Sequence, residues 1–372
     1  MTDHALLAPS SAHRWGGEVP CPGSVAMEAA VPEEETDESR EGTAAHFVAQ
    51  MKLQVGLDVL AGETTPNGWV VDDEMVDGAK LYVDYVLTTM QGVVPKNIER
   101  RTLPGAIHDE CWGTPDADDW LGNTLHIFDY KYGHRFVEVF ENEQLICYAA
   151  DRLADLGGLD DQLAWVHFHI IQPRSFHRDG PIRDWRVRAS DLRAHTNRLR
   201  GLAHDALRPG APTVASPAAC RDCRARFRCD AAHAAGLDAA GVAGSSVPFD
   251  LTDVEAGRFL AYLRRAKAQL EAMESGLVEQ VEKALKRGVF LPQWQLEETQ
   301  SRERWIVPDE AVIQMGREMG KDLSAPVKCV TPPQARKLGI DASVISAYSQ
   351  RPRGALKVVP LDLTHAKKVF AK

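Results

Sequence analysis

Asp129 and Lys131 alternate with bulky neighbours in the run Thr124-Leu-His-Ile-Phe-Asp-Tyr-Lys131. The apolar/polar alternation predicts a strand. A spacing of two puts both side chains on one face. Upstream, the turn-rich Gly113-Thr-Pro-Asp-Ala-Asp-Asp119 supplies Asp116, with Asp118 and Asp119 as alternatives, and a hairpin would carry such a carboxylate to Asp129. Two hard oxygen donors suit Mg2+ or Mn2+, and a bound divalent cation activates water. A lysine beside them is a point charge for a phosphate or an attacking hydroxide. These types at this spacing fit metal-assisted phosphodiester hydrolysis.

Further candidates lie on flanking elements. His46 sits in the predicted helix from Glu41 to Val55, and its imidazole would complete a mixed nitrogen/oxygen site that suits manganese better than magnesium. Gln144 and Tyr148 are four apart in a helix predicted from Glu143 to Leu156, capped by Asn142, so they share one face. That face either contacts DNA backbone or orients the lysine. Cys147 beside them reads as core. Glu99, in a strand predicted over Asn97 to Leu103, reads as an exposed strand residue. In the strand predicted from Ala164 to Pro173, His167 and His169 share a face, but no third ligand is close in sequence. Arg183, Arg186, Arg188, Arg193, Arg198 and Arg200 form a candidate basic surface for phosphates. Cys220-x2-Cys223-x5-Cys229 offers three thiolates, which select zinc or iron–sulfur. The fourth ligand is either His233 or the distant Cys21, which precedes Pro22.

Taken together, these motifs resemble a known family. Asp116…Asp129-Tyr-Lys131 looks like the PD-(D/E)XK motif of the RecB-like nuclease superfamily, and the GTPD context favours Asp116 over its neighbours. Gln144…Tyr148 resembles the QxxxY motif of that branch, and Gly42…His46 the GxxxH motif that supplies a histidine metal ligand. Ser10…Trp15…Cys21-Pro22 resembles the opening of the iron–sulfur members, which include the CRISPR-adaptation and AddB-type recombination nucleases. In those, one N-terminal cysteine joins a C-terminal C-x2-C-x5-C triplet around a 4Fe–4S cluster, here Cys21 with Cys220, Cys223 and Cys229. The tail, Leu291-Pro-Gln-Trp294…Trp305…Thr331-Pro-Pro-Gln-Ala335…Lys357-Val-Val-Pro360, resembles a phage and prophage family that carries this nuclease core.

The resemblance implies an α/β fold: a restriction-endonuclease-like core with a central mixed sheet flanked by helices, an iron–sulfur staple and a helical appendage. It implies a DNA exonuclease with His46, Asp116 and Asp129 on Mg2+ or Mn2+, Lys131 on water or phosphate, and Gln144 and Tyr148 positioning. The setting implied is phage recombination or replication in the bacterial host cytoplasm. DNA ends are the substrate, and a single-strand annealing or replication protein is a candidate partner. Two alternatives stand beside this: a catalytically silent iron–sulfur DNA-binding or assembly subunit, and a zinc-stapled RNA- or protein-interaction module.

The elements that must position these residues follow from pattern. Residues 1–235 read as the nuclease core, the small-residue stretch 236–249 as a linker, and 250–372 as a mainly helical domain. Within the last, Leu260 to Leu285 recur at helical spacing, a small hairpin is expected over 289–306, and a helix opens at Thr331. The acidic 32–41 reads as a loop, Glu74 to Gln91 as an amphipathic helix, Glu110 to Leu121 as a strand and turn, and Phe136 to Phe140 as a short strand. The chain has 372 residues, 44% of them hydrophobic, enough for one or two cores. It lacks an eighteen-residue apolar run, which argues against a membrane span, and its N-terminus has no secretory pattern. A net charge of -10 argues against binding nucleic acid by bulk charge, although it leaves room for a local basic groove. Seven cysteines without an export signal point away from a disulfide framework.

Overall fold

The alternating run becomes the middle of a sheet. In a computed structural model that describes residues 5–154, 164–175, 180–243, 251–300, 304–324, 331–332, 335, 339–350 and 353–360, Thr124–Tyr130 is buried along its whole length. A strand buried on both faces needs cover on both, and the flanking amphipathic helices supply it. The entry consists of α1 (Ala12–Trp15) and α2 (Ser24–Ala29), followed by α3 (Asp37–Gln50) and α4 (Asp73–Thr89). Then come β1 (Asn97–Ile98), β2 (Ala117–Leu121), β3 (Thr124–Tyr130), α5 (Glu143–Ala154), β4 (Trp165–Ile171), β5 (Ile182–Arg188) and α6 (Leu192–Leu207). The strands form one mixed sheet in chain order, antiparallel at β1/β2, β2/β3 and β4/β5, and parallel at β3/β4. A parallel neighbour requires a crossover, and α5 lies within that connection.

Alternation sorts the two faces. Leu125, Ile127, Val166, Phe168 and Ile170 pack with Trp15 of α1, Leu145 and Leu153 of α5 and Leu199 of α6. Phe128, Tyr130 and Ile171 pack with Ala44 and Val48 of α3 and Met75, Tyr82 and Val86 of α4. The α4 backbone comes so close to the sheet that a Cβ on Gly78 would lie 2.8 Å from the Tyr130 hydroxyl and 3.2 Å from Pro173. No helix among the described residues is long and apolar enough to cross a membrane.

Several boundaries differ from expectation for local reasons. The acidic stretch read as a loop already enters α3 at Asp37: Thr36 caps it by accepting from Ser39 N at 3.1 Å, and Asp37 and Glu38 suit the positive helix start. His46 is therefore mid-helix, and a π-turn over Met51–Val55 ends at Gly56 in the left-handed region. The strand predicted over Asn97 to Leu103 stops at Ile98, and only Ala117–Leu121 of the Glu110 to Leu121 segment is strand. Phe136 to Phe140 is not a strand. Its backbone is held by side chains: Gln172 Oε1 accepts from Val137 N at 3.3 Å, and Arg183 donates to Val137 O at 3.1 Å.

Beyond the sheet, α7 (Pro217–Arg221) and α8 (Asp230–Ala243) precede the long α9 (Asp253–Lys286). The stretch expected to be a linker is helical as far as Ala243, since alanines favour helix and the bare Gly236 leaves room for Met273. Residues 244–249 of that stretch lie outside the described residues. Packing divides the chain into Met1–Gly276 and Leu277–Lys372, so the division falls inside α9.

The second unit holds β6 (Trp294–Gln300), β7 (Arg304–Trp305), α10 (Asp309–Glu318), a helix over Ala342–Tyr348, β8 (Ser349–Gln350) and β9 (Arg353–Pro360). Its described residues hold strand as well as helix, and the expected local hairpin does not form among them. Instead β6 pairs with β9, Trp294 opposite Pro360, and β7 with β8. Val312, Met315, Leu323, Ala335, Ile340 and Ile345 fill its small core. Most of the helix expected to open at Thr331 lies outside the described residues.

Candidate metal centre

Asp116 precedes β2 and Asp129 is near the end of β3, so the hairpin brings the two carboxylates to one end of the sheet. The turn delivering Asp116 is tight: a Cβ on Gly113 would lie 2.8 Å from the Tyr148 ring and 3.0 Å from Pro9. Asp116 Oδ2 accepts from the Tyr130 backbone N–H at 2.5 Å, and Oδ1 lies 2.8 Å from His46 Nδ1. His46 arrives from α3 and packs edge-on to Tyr130, with centroids 5.5 Å apart.

Glu99, expected to be an exposed strand residue although it stands where related nucleases often carry a core-edge glutamate, joins them. Its backbone is left-handed, φ +47°, an uncommon state for a residue with a side chain. Its N–H donates to Asp116 O at 3.1 Å, and its carboxylate lies 3.7 Å from His46 Nδ1. One ligand atom from each of His46, Glu99 and Asp116 falls within 4.8 Å of the others. A positive φ ends the strand and redirects the side chain, and no residue type in the Asn97–Leu103 run signals it.

On the other side of the sheet, α5 contributes Gln144 and Tyr148. Lys131 Nζ donates to Asp129 Oδ1 at 3.0 Å and to Gln144 Oε1 at 3.2 Å. Gln144 Nε2 donates to Asp129 Oδ1 at 3.3 Å and to the Tyr148 hydroxyl at 3.1 Å. Of the two roles open to this pair, the structure realises the orientation of the lysine. Asp129 Oδ2 is buried without a hydrogen-bond partner among the described residues. An uncompensated carboxylate oxygen is costly to bury unless it takes up a proton or meets a cation.

Electrostatics follow from crowding. Burial alone would lower the His46 pKa, but the Asp116 and Glu99 carboxylates outweigh it and raise it to about 10. Burial pushes Asp116 up, yet His46 and Lys131 hold it below the usual carboxylate value. For Asp129 burial prevails over Lys131, and Asp116 adds to it, so its pKa is raised; Glu99 is raised by burial too, with His46 opposing. Lys131 is raised, because Asp129 and Asp116 outweigh its desolvation. Three acids thus share two protonic cations, the arrangement a divalent ion would take over.

The alternatives to Asp116 are committed elsewhere. Asp118 is buried in an ion pair with Arg152 at 2.9 Å and accepts from Asn97 at 2.8 Å. Asp119 accepts from Lys96 N at 3.0 Å and Trp120 N at 2.8 Å. Much of the expected basic surface is also structural. Arg183 is buried, Arg198 donates to Gly16 O at 2.7 Å, Arg200 donates to Ala106 O at 2.6 Å, and Arg186 and Arg188 stack over Trp165. Cys147 is core beside Cys111.

The four predicted cluster cysteines come together although Cys21 is far from the rest in sequence. Gly23 N donates to Pro212 O at 2.8 Å, which seats the entry segment against residues 212–214, and Val214 N donates to Cys21 Sγ at 3.2 Å. Cys21, Cys220, Cys223 and Cys229 line one small cavity, with Arg226 and Met27; His233, the other candidate, is not among its lining. Burial raises the Cys21, Cys220 and Cys223 thiols, Cys223 to about 11.

A family described as "Protein of unknown function (DUF2800)" matches residues 4–363. Among solved structures, a "putative exonuclease" from Eubacterium rectale is similar with a TM-score of 0.34 and 10% identity, over 66% of this chain and 90% of that one.

Proposed function

The chain belongs to the DUF2800 family, and we propose that it is a divalent-metal-dependent deoxyribonuclease of the PD-(D/E)XK type. One observation carries the reading: the His46–Glu99–Asp116 trio gathers its ligand atoms within 4.8 Å, and the charge of its Asp116 bears on Asp129, whose Oδ2 is buried without a partner among the described residues and whose Oδ1 is held by Lys131. The donor set is oxygen-rich with one imidazole, which suits Mg2+ or Mn2+.

In this reading His46, Asp116 and Asp129 hold the cation, and Glu99 is a fourth ligand. When bound, the ion makes water acidic enough to attack and neutralises charge developing on the phosphate. The protein's own groups do the rest. Lys131 keeps its proton and presents a fixed positive charge to a phosphate oxygen. Gln144 locks Lys131 against Asp129, and Tyr148 holds the Gln144 amide. His46 gives up a proton to become a ligand.

The reading extends to a structural 4Fe–4S cluster on Cys21, Cys220, Cys223 and Cys229. Four thiols around one cavity support it, and so does their spacing. Such a cluster would fasten the chain's entry to the segment after α6. The choice of DNA ends as substrate, the setting in phage recombination or replication in a bacterial cytoplasm, and an annealing or replication protein as partner rest on the motif resemblance.

The test is cleavage of end-labelled linear single- and double-stranded DNA by anaerobically purified wild type and Asp129→Ala, with Mn2+ or Mg2+. Metal-dependent loss of label, absent in the variant, supports the reading. Equal activity in both proteins refutes the site. No activity in either, with iron and sulfide present, favours a silent DNA-binding subunit.

A further inference from the structure

Three histidines meet on the face of the sheet covered by α4, at the opposite end of β3 from Asp129. His126 of β3 is paired in register with His167 of β4, and His169 lies two residues on along the same face. One ring nitrogen from each lies within 4.8 Å of the others. His126 Nδ1 is 3.1 Å from His169 Nε2, and the His167 and His169 ring centroids are 4.0 Å apart. We propose that His126, His167 and His169 form a second metal site, separate from the carboxylate centre, which takes a borderline transition-metal ion such as Zn2+.

The chemistry of the donors sets the class. Three imidazoles without a neighbouring carboxylate pair suit zinc, nickel or copper and offer little to Mg2+. Each of the two β4 histidines has an orienting partner outside the trio. Tyr85 of α4 bonds His169 Nδ1 at 2.9 Å, leaving Nε2 to face His126. Asp184 of β5 bonds His167 Nε2 at 2.8 Å. Partners of this kind fix the tautomer of metal-bound imidazoles and raise their basicity. The parallel register is what turns a His-x-His pair, for which the sequence offers no nearby third ligand, into a trio, because it brings in His126.

Burial, helped by His167 and Arg186, disfavours the charged form of His126, and burial with the neighbouring imidazoles does the same for His169. The charged groups facing the trio are Asp184 and Arg186. Asp184 favours a cation; Arg186 opposes one but is drawn over the Trp165 ring, 4.6 Å from its centroid, and donates to Thr124 at 3.3 Å. His169 is fully buried and His126 nearly so, while the His167 side chain is 21% exposed, which gives an ion a route in and leaves a coordination position toward solvent.

The experiment uses the full chain, purified anaerobically and carrying Asp116→Asn to silence the carboxylate centre. Zinc is equilibrated across a membrane at micromolar free concentration and counted by mass spectrometry, with and without His167→Asn. The expected result is one zinc fewer per chain in His167→Asn, at unchanged iron and unchanged far-UV circular dichroism. Asp184→Asn, whose side chain is 55% exposed and so leaves the fold intact, should weaken zinc by about 10- to 100-fold. Equal zinc in all three proteins, or an Asp184→Asn affinity equal to the parent's, would overturn the proposal and leave the trio a hydrogen-bonded imidazole stack. Should His167→Asn misfold, the Asp184→Asn affinity decides alone.

Discussion

Metal binding at the carboxylate centre should expel a proton from His46. Without metal, Asp116 at 2.8 Å and Glu99 at 3.7 Å hold the imidazolium, with a pKa of about 10 against an ordinary 6.5. At pH 8 the ring is then about 99% protonated, and a cation competing for it loses about two powers of ten, or about 2.7 kcal/mol. A third of the His46 side chain is exposed, so solvent screening reduces the expected penalty to about 30- to 100-fold. Apparent Mn2+ affinity should rise nearly tenfold per pH unit from 7 to 9 and level off above about 10. The sign follows from which form ligates: raising pH removes the competing proton. Titration calorimetry in buffers of different ionisation enthalpy should count close to one more proton released at pH 8 by wild type than by His46→Gln. The same proton stabilises the metal-free fold, fully below pH 6.5 and no longer above about 10. Equal proton release by wild type and His46→Gln, or an Mn2+ affinity flat from pH 7 to 9, would refute His46 as a ligand and leave it an ion-paired bystander.

Other expectations separate roles among neighbouring residues. Lys131→Met should lower the DNA cleavage rate by about 10²- to 10³-fold while Mn2+ still binds, because the variant removes a cation from beside the ligands; calorimetry and cleavage measured together test the split. Asp118→Ala should cost about 3–5 kcal/mol of unfolding free energy by leaving Arg152 buried and unpaired, read from denaturant midpoints, whereas Asp116→Ala should abolish cleavage at far smaller cost in stability. Cys21→Ser should lose iron and sulfide and expose the segment before α2 to limited proteolysis, since only that thiol joins the entry to the other three.

Part of the site was legible because its spacing equals a structural period. Asp129 and Lys131 share a face because strands repeat every two residues, and Gln144 and Tyr148 because helices nearly repeat every four. The Cys220–Cys229 spacing was readable as a local ligand pattern, and His46 and Cys21 through the motif resemblance. What stayed hidden depends on long-range register or on backbone strain. Glu99 enters the site through a left-handed residue that ends β1 early. His126 meets His167 and His169 only because α5 returns the chain to pair β4 in parallel with β3 in that register. In the second unit, the partner of β6 is β9, so a hairpin reading of Trp294 and Trp305 had the right strands and the wrong pairing.

The sheet's alternation also explains why neither helical layer could build the carboxylate centre alone. Asp129 points toward the α5 layer, where Gln144 and Lys131 fix it, whereas its neighbour Tyr130 packs in the α3 and α4 layer, where His46 lies against its ring. The two sides meet through the backbone: the Tyr130 N–H that separates them donates to Asp116, and Asp116 holds His46. A one-residue slip of β2 against β3 would turn every side chain of β2 to the other face and break this link even with all the ligands present. The buried Asp118–Arg152 pair works against that slip, because moving it would strand a charge in the core. Two aspartates two positions apart thus divide the labour: Asp118 fixes the register, and the register places Asp116 between His46 and Asp129.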